Sequence, residues 1–377
     1  MSRAVVKTQR IGFIIDGHRP SVSACLKRKC PPRGLLMGCP SGSANGFMRF
    51  GWIAQEVNGA NDARYCYELF RPWRSYAAVF FLKSMGSDCL ELAGHIKRRG
   101  TRIVFDLNVD YFSWPQGRFF FDGMAPYAWQ RRAAFKMARI ADAISCASEH
   151  IAWSASRYHR QVHWISDNIR PEFIRHREPH RQPFRDDGRL QLLWSGQAHK
   201  LFDLLSIGDV LRENAPRIHL KIITGSLSGL DMLYPHYRRK LISLLAGLDH
   251  EVLPFRDIGA LHKIYQQGGI FLSPRFLDNT YNPGHSEWKI TLAMAAGNMV
   301  LCSEQPSYRT VYHRAGGIGI HLCRSNADWR QAFEDIFSDR IHWRSEQEAA
   351  VKVVAEHYAT PVVADLYTRM LDRILET

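Results

Sequence analysis

The chain has 377 residues, and its 50 Lys and Arg against 36 Asp and Glu give a formal charge of +14. Its aromatics (20 Phe, 14 Tyr and 10 Trp) can fill the cores of two domains of ordinary size, which excludes a disordered polyelectrolyte. No run of about 18 apolar residues occurs, so a membrane-spanning helix is excluded; the longest apolar stretch, Tyr76 to Leu82, stops at Lys83.

The charge is uneven. The first 110 residues hold 17 Lys/Arg and 8 Asp/Glu, so +9 of the +14 lies in under a third of the chain. Arg19, Lys27, Arg28, Lys29 and Arg33 fall in a Gly/Pro/Ser-rich stretch, and Lys97, Arg98, Arg99 and Arg102 close an expected helix. Such a face suits an anionic partner: a phosphorylated molecule, an anionic membrane surface or nucleic acid. None of the eight cysteines forms a CxxC pair, so no zinc site is expected, and Cys146 and Cys302 read as small core residues. The start of the chain lacks a signal-peptide pattern, and the expected compartment is the reducing cytoplasm, with the basic half facing the inner membrane surface.

In chain order, short apolar runs alternate with helical segments, the pattern of a parallel α/β sheet. Strands are expected at Arg10–Asp16, Ala77–Leu82, Arg102–Asp106, Ala143–Ala147 and Val162–Ile165. Helices are expected at Ser87–Arg98 and from Ala125 to Ile140. The polar, proline-containing stretch 176–189 has no periodicity and reads as a linker. A second α/β series follows, with strands at Leu190–Trp194, His219–Ile223, Glu251–Leu253, Gly269–Leu272, Met299–Cys302 and Gly319–Leu322. The domains predicted are thus 1–175 and 190–360, with a terminal helix from Pro361 that can return to the first. Ligands of open parallel sheets bind beyond the carboxyl ends of the strands, so two such sheets face one cleft between them.

Three strand ends in the second half carry residues suited to phosphate. At Trp194-Ser195-Gly196-Gln197-Ala198-His199-Lys200, Gly196 permits close backbone approach, and His199 or Lys200 can neutralise an anion. Thr224-Gly225 ends another strand. The strongest feature is Asn279 to Ser303, in which a loop with Asn282 leads to a helix expected to start with Ser286 as N-cap and Glu287 in its first turn. Lys289 in that turn opposes the helix dipole unless an anion sits there. In the first half, Asp106-Leu107-Asn108-Val109-Asp110 places two carboxylates after a strand, suited to acid–base work on a hydroxyl. A calcium loop would start with this spacing but would continue with Gly at six and Glu at twelve, which are absent.

The order of these motifs resembles GT-B-fold retaining glycosyltransferases of the family 4 type over roughly residues 100 to 325. Lys289 to Ser303 is similar to that family's signature helix and strand, Leu192 to Lys200 to its glycine loop, and Asp142 to Ser148 and Trp164 to Ile169 to motifs closing its first domain. The resemblance implies an α/β fold of GT-B architecture, two Rossmann-like parallel-sheet domains facing across a cleft. It implies transfer of a sugar from a UDP-, GDP- or other nucleoside-diphosphate sugar to a saccharide or lipid-linked acceptor, with retention and without a metal or other cofactor. Donor contacts would then come from Gly196, Gln197, His199, Lys200, Thr224, Gly225, Phe255, Arg256, Asn282, Ser286, Glu287 and Lys289. Catalytic roles would fall to Asp106, Asp110, Lys200 and Lys289. The family's Glu-x7-Glu pair departs here, since Gly284 and Leu292 stand at its positions. A scaffold that binds a sugar nucleotide or glycan without turnover is the second reading. A nucleic-acid-binding protein is the third, although no recognised module or basic–aromatic interleaving supports it.

Overall fold

The computed structural model describes residues 8–15, 46–60, 63–174 and 182–376. The basic cluster from Arg19 to Arg33, the loop from Asp16 through Asn45, Cys25, Cys30 and Cys39, and residues 176–181 of the expected linker lie outside the described residues.

Two six-stranded sheets, parallel throughout, organise the chain. The first contains β1 (Gln9–Ile15), β2 (Tyr65–Leu69), β3 (Ala78–Leu82), β4 (Arg102–Leu107), β5 (Ala143–Cys146) and β6 (Val162–Trp164), in the order β2-β1-β3-β4-β5-β6. The second contains β7 (Leu190–Ser195), β8 (Ile218–Thr224), β9 (His250–Pro254), β10 (Ile270–Ser273), β11 (Met299–Ser303) and β12 (Ile320–Cys323), in the order β12-β11-β10-β7-β8-β9. Strand order reverses direction beside β1 in one sheet and between β10 and β7 in the other. Crevices at such switch points, beyond the carboxyl ends, are where open α/β sheets bind ligands.

The central strands are apolar throughout because both faces of each sheet are covered. In β3 all five residues are buried: Ala78, Phe80 and Leu82 face one core, while Val79 and Phe81 face another. The first of those cores is completed by the helix Thr360–Leu375, which lays Val363, Tyr367 and Leu371 on the sheet. The end of the chain thus packs on its first half. β2 escaped the sequence pattern because its buried tyrosines, Tyr65 and Tyr67, alternate with polar positions at a sheet edge.

Two connections join the halves. One is an arm between β4 and the helix Ala128–Ile140. Gly117 pairs antiparallel with Asn279, and Phe121 with Leu233. Phe120 stacks on Phe202 at 4.1 Å between ring centroids, and Phe120, Phe121 and Met124 are buried in the core of the second half. Gly117 has φ +91°, and a Cβ there would lie 1.9 Å from the Asp278 carbonyl oxygen, so only glycine permits this approach.

The other connection is a buried polar chain. Arg49, in a short π-helical turn at Phe47–Gly51, donates from Nε and Nη2 to the two oxygens of Asp106, both at 2.8 Å. Its Nη1 donates to the Ile165 carbonyl at 2.6 Å and to Asp167 at 3.3 Å. Asp167 accepts from Ser286 Oγ at 2.6 Å, and Asn168 is held by Met48 and Thr360. First half, crossover, second half and terminal helix therefore meet at one arginine.

Removing Arg49 leaves two buried carboxylates unpaired, a loss of about 3–5 kcal/mol. Arg49→Ala is expected to lower unfolding free energy in urea by that amount; a loss below about 1 kcal/mol would show that the network is peripheral.

Candidate active site

Beyond the carboxyl ends of β7 and β10, at the switch point of the second sheet, the structure gathers positive charge. β7 ends at Ser195, and Gly196 turns the chain with φ +152°. A Cβ on Gly196 would meet Lys289 Nζ and the Trp194 ring, each at 3.1 Å, so the glycine makes room for the lysine. Lys289 lies in the first turn of the helix Trp288–Ala295, its Nζ 4.8 Å from the centroid of the Trp194 ring. Lys200 donates to His285 Nε2 at 3.4 Å and lies over the Tyr281 ring. Arg275, directly after β10, is buried and paired with Asp203 at 2.7 Å. Asp203 also accepts from the Phe276 amide and from Asn282 Nδ2, so one buried carboxylate fixes both the arginine and the loop.

The cations outnumber the acids here, and the electrostatics register it. Burial, then Arg275 and Lys200, push Lys289 well below the usual lysine range against the pull of Asp203. Burial, then Lys200, Arg275, Lys289 and Lys83, hold His285 well below its ordinary value, so the ring is neutral at pH 7. Lys83 enters from the first half with φ +49°, a strained conformation for a residue with a side chain. Buried Asn282 Oδ1, Arg275 Nε and Thr224 Oγ1 have no protein partner, which leaves them available to a ligand. Thr224 closes β8, and its carbonyl accepts from the amide of half-exposed Phe255, which stands beside Arg256 at the outer edge of the site. Gly225 extends from the same strand end, and Gln197 is exposed at the tip of the glycine loop.

Across the cleft, a narrow crevice is lined by Asp110, Ser113 and Pro126 from one side and by Tyr281, Gly284 and His285 from the other. Asp110 Oδ1 accepts from the Phe112 and Ser113 amides and from Ser154 Oγ, while buried Oδ2 accepts no hydrogen bond and lies 3.6 Å from His150 Nε2. Burial works to raise this carboxyl, but His150 and the Ser113 and Phe112 donors outweigh it, leaving Asp110 below its usual value and ionised. A Cβ on Gly284 would sit 3.4 Å from Asp110 Cβ. A glutamate there would therefore press a second carboxylate onto Asp110. Leu292, the other Glu-x7-Glu position, is fully buried core.

Four expectations are corrected. Asp106 does not face the cleft: Arg49, Ser145 and Tyr367 occupy its oxygens. His199 is no anion ligand; burial, then Lys200, push it down to about 4, and its neutral ring packs edge-on against Phe121. Ser286 does not cap its helix but bonds Asp167, while Glu287 occupies the N-cap position without a capping bond. The Gly196 amide donates to Ile223, so the loop's amide donors lie at the helix start beyond it. Sequence reasoning missed Arg275, Asp203, His285 and Lys83. His150 is a further residue that sequence reasoning did not place at the site; its Nε2 lies 3.6 Å from Asp110 Oδ2.

Glu287 is buried, and neither carboxylate oxygen has a hydrogen-bond partner. Burial, then nearby Asp167, push it up to about 8 against Arg314 and Arg49. Among the described residues, no group of three or more His, Cys, Asp or Glu is placed to hold a metal ion, and no helix is long and apolar enough to cross a membrane.

Two facing doubly wound sheets with a basic pocket at one switch point define the GT-B class of fold. Solved structures of that class match the chain nearly end to end. Anabaena HepE in complex with UDP and glucose superposes with a TM-score of 0.62 at 11% identity, over 97% of this chain and 100% of that one. A glycosyltransferase from Rickettsia africae gives 0.60 at 9% identity, over 98% and 99%. Sucrose-phosphate synthase from Thermosynechococcus elongatus gives 0.58 at 12% identity, over 80% and 74%. At these identities the likeness is one of fold. No protein-family profile and no curated relative matches the chain.

Because its folded value is raised, Glu287 contributes stability that is complete below about pH 4 and lost as pH rises towards 8. Glu287→Gln removes that titration. Its thermal midpoint is expected to fall several degrees less than the wild type's between pH 5 and 8.5, and parallel curves would show that Glu287 does not titrate in this range.

Proposed function

We propose that the chain is a glycosyltransferase that moves a sugar from a nucleoside-diphosphate sugar, UDP-linked in the first instance, to a saccharide or lipid-linked acceptor with retention. One observation carries this reading: Lys200, Lys289 and Arg275 converge at the switch point with Asp203 as their counter-charge. Such a surplus in a partly dry site calls for a polyanion, and a diphosphate supplies it. That Anabaena HepE, similar in fold, is in complex with UDP supports a nucleoside diphosphate as that polyanion.

In this reading the nucleoside lies against Thr224, Phe255 and Arg256, and the diphosphate between Lys200, Lys289 and the amides after Gly196. The bond between the anomeric carbon and the phosphate oxygen breaks, and its electron pair goes to the departing diphosphate. Lys200 and Lys289 stabilise that charge in place of a divalent cation, and each well-aimed donor at such a site is worth about 3–4 kcal/mol. The acceptor hydroxyl attacks the same face of the sugar, forming the new bond as its proton passes to the leaving phosphate oxygen. Asp110, through its free Oδ2, accepts a hydrogen bond from a sugar hydroxyl and orients it, with His150 behind it. Its lowered pKa makes the Asp110 carboxylate a weak proton acceptor, which favours this role over that of a proton-transferring base.

UDP is expected to raise the thermal midpoint of the wild type, and Lys289→Ala to lower kcat about 10²–10³-fold with UDP-glucose or a related donor. Activity should persist in EDTA. Since Lys289 is depressed without ligand and an adjacent diphosphate favours its charged form, binding takes up a proton. UDP affinity should therefore fall as pH rises above neutrality, and Lys289→Arg should flatten that fall. Absence of stabilisation by any nucleoside diphosphate, with Lys200→Ala and Lys289→Ala indistinguishable from wild type, would sink the reading.

A further inference from the structure

The first half carries exposed aromatic rings that the transfer chemistry does not use. Trp114 is 67% exposed and Trp153 is 60% exposed; Tyr127, Trp129 and Tyr158 are about half exposed. Scattered exposed apolar residues are ordinary. Three of these rings, Trp114, Tyr127 and Trp153, instead adjoin in the chain residues that line the crevice or that bond to Asp110. Trp114 stands between Ser113 and Pro115, both of which line it. Trp153 precedes Ser154, whose hydroxyl donates to Asp110 and lies 3.0 Å from Ser113 Oγ. The His150 ring, beside Asp110 Oδ2, has its centroid 6.1 Å from that of Trp153.

Guanidinium groups accompany the rings. Arg131 lies 4.5 Å from the Trp114 centroid, and Arg157 lies 5.8 Å from that of Trp153 and 6.0 Å from that of Tyr158. The helix Ala128–Ile140 adds Arg132, Lys136 and Arg139 with no acid. Glu149, the sole acid of the helix Glu149–Ser156, accepts a hydrogen bond from Thr310 in the second half. The exposed rings near the crevice are therefore accompanied by guanidinium groups, on helices with few acids.

We propose that this surface is the acceptor platform and that it binds an anionic saccharide, a glycan bearing carboxylate or phosphate groups, whose terminal sugar enters the crevice at Asp110. Sugar rings present an apolar C–H face that packs on indole, while their edges hydrogen-bond to polar neighbours. Arginine forks match carboxylate and phosphate in two-point geometry and stay charged at any relevant pH. The rings are separated by guanidiniums rather than joined in one apolar face, which suits a chain of sugars better than the acyl boundary of a bilayer. This inference rests on the crevice being the acceptor entrance of the proposed transferase.

The test is an array of neutral, uronate-bearing and phosphate-bearing oligosaccharides probed with the full chain. A parallel arm uses phosphatidylcholine vesicles containing phosphatidylglycerol, and a UDP thermal shift is measured on every variant. Wild type is expected to retain anionic members of the array. Trp114→Ala and Trp153→Ala should each weaken that retention about tenfold, and Trp114→Phe should restore most of it. The double variant Arg131→Ala/Arg157→Ala should lose the preference for anionic over neutral members, with UDP stabilisation unchanged throughout. Retention of no anionic glycan, retention undiminished in both tryptophan variants, or binding to vesicles alone would each overturn the platform. If UDP stabilises the chain while the array result fails, the donor site stands and this inference falls; failure of UDP on wild type removes the underlying reading.

Discussion

The two-point pairing of Arg49 with Asp106 is the interaction on which the arrangement of the halves depends. A guanidinium buried to this depth persists only if nearly every donor finds an acceptor. Asp106, at the end of β4, and Ile165 and Asp167, after β6, supply them from two stretches of chain distant from Arg49. Through Asp167 the pairing reaches Ser286, two residues before the helix that carries Lys289. The helix that carries Lys289 in one half is thus linked, through Ser286, Asp167 and Arg49, to a turn in the other.

Around that pivot, charge is sorted by function. Buried ion pairs hold structure: Arg49 with Asp106 and Asp167, and Arg275 with Asp203. Lys200 and Lys289 have aromatic rings and a neutral imidazole as neighbours, none of which cancels a full charge. Asp203 acts on Lys289 as well, but it is already paired with Arg275. Asp110 lines the crevice shared with His285, and one of its oxygens accepts no hydrogen bond.

Much of the fold was legible in the sequence because buried parallel strands are continuous apolar runs, and β3, β7 and β11 are buried at every position. Gly196 and Lys289, singled out in the sequence at separate strand ends, do come together in the fold. The failures share a cause, namely partners distant in sequence. Asp106 looked like a free strand-end carboxylate because Arg49 lies 57 residues away, and Arg275 was invisible because Asp203 lies 72 residues away. His199 appeared able to take a proton until Phe121 came in from the other half to bury it. Glu287 looked like a first-turn acid facing a ligand, whereas the fold closes over it.

The arm through Phe120 and Phe121 bears on how the protein is made. The second half alone would lack two aromatic rings and Met124 from its core, leaving a void where they pack against Phe202 and Leu233. The arm is synthesised before the socket that receives it, so these apolar side chains wait, uncovered, while nearly eighty further residues emerge before Phe202 arrives. The first half likewise waits for the terminal helix to cover β3. Each half thus completes its core with a segment drawn from elsewhere in the chain.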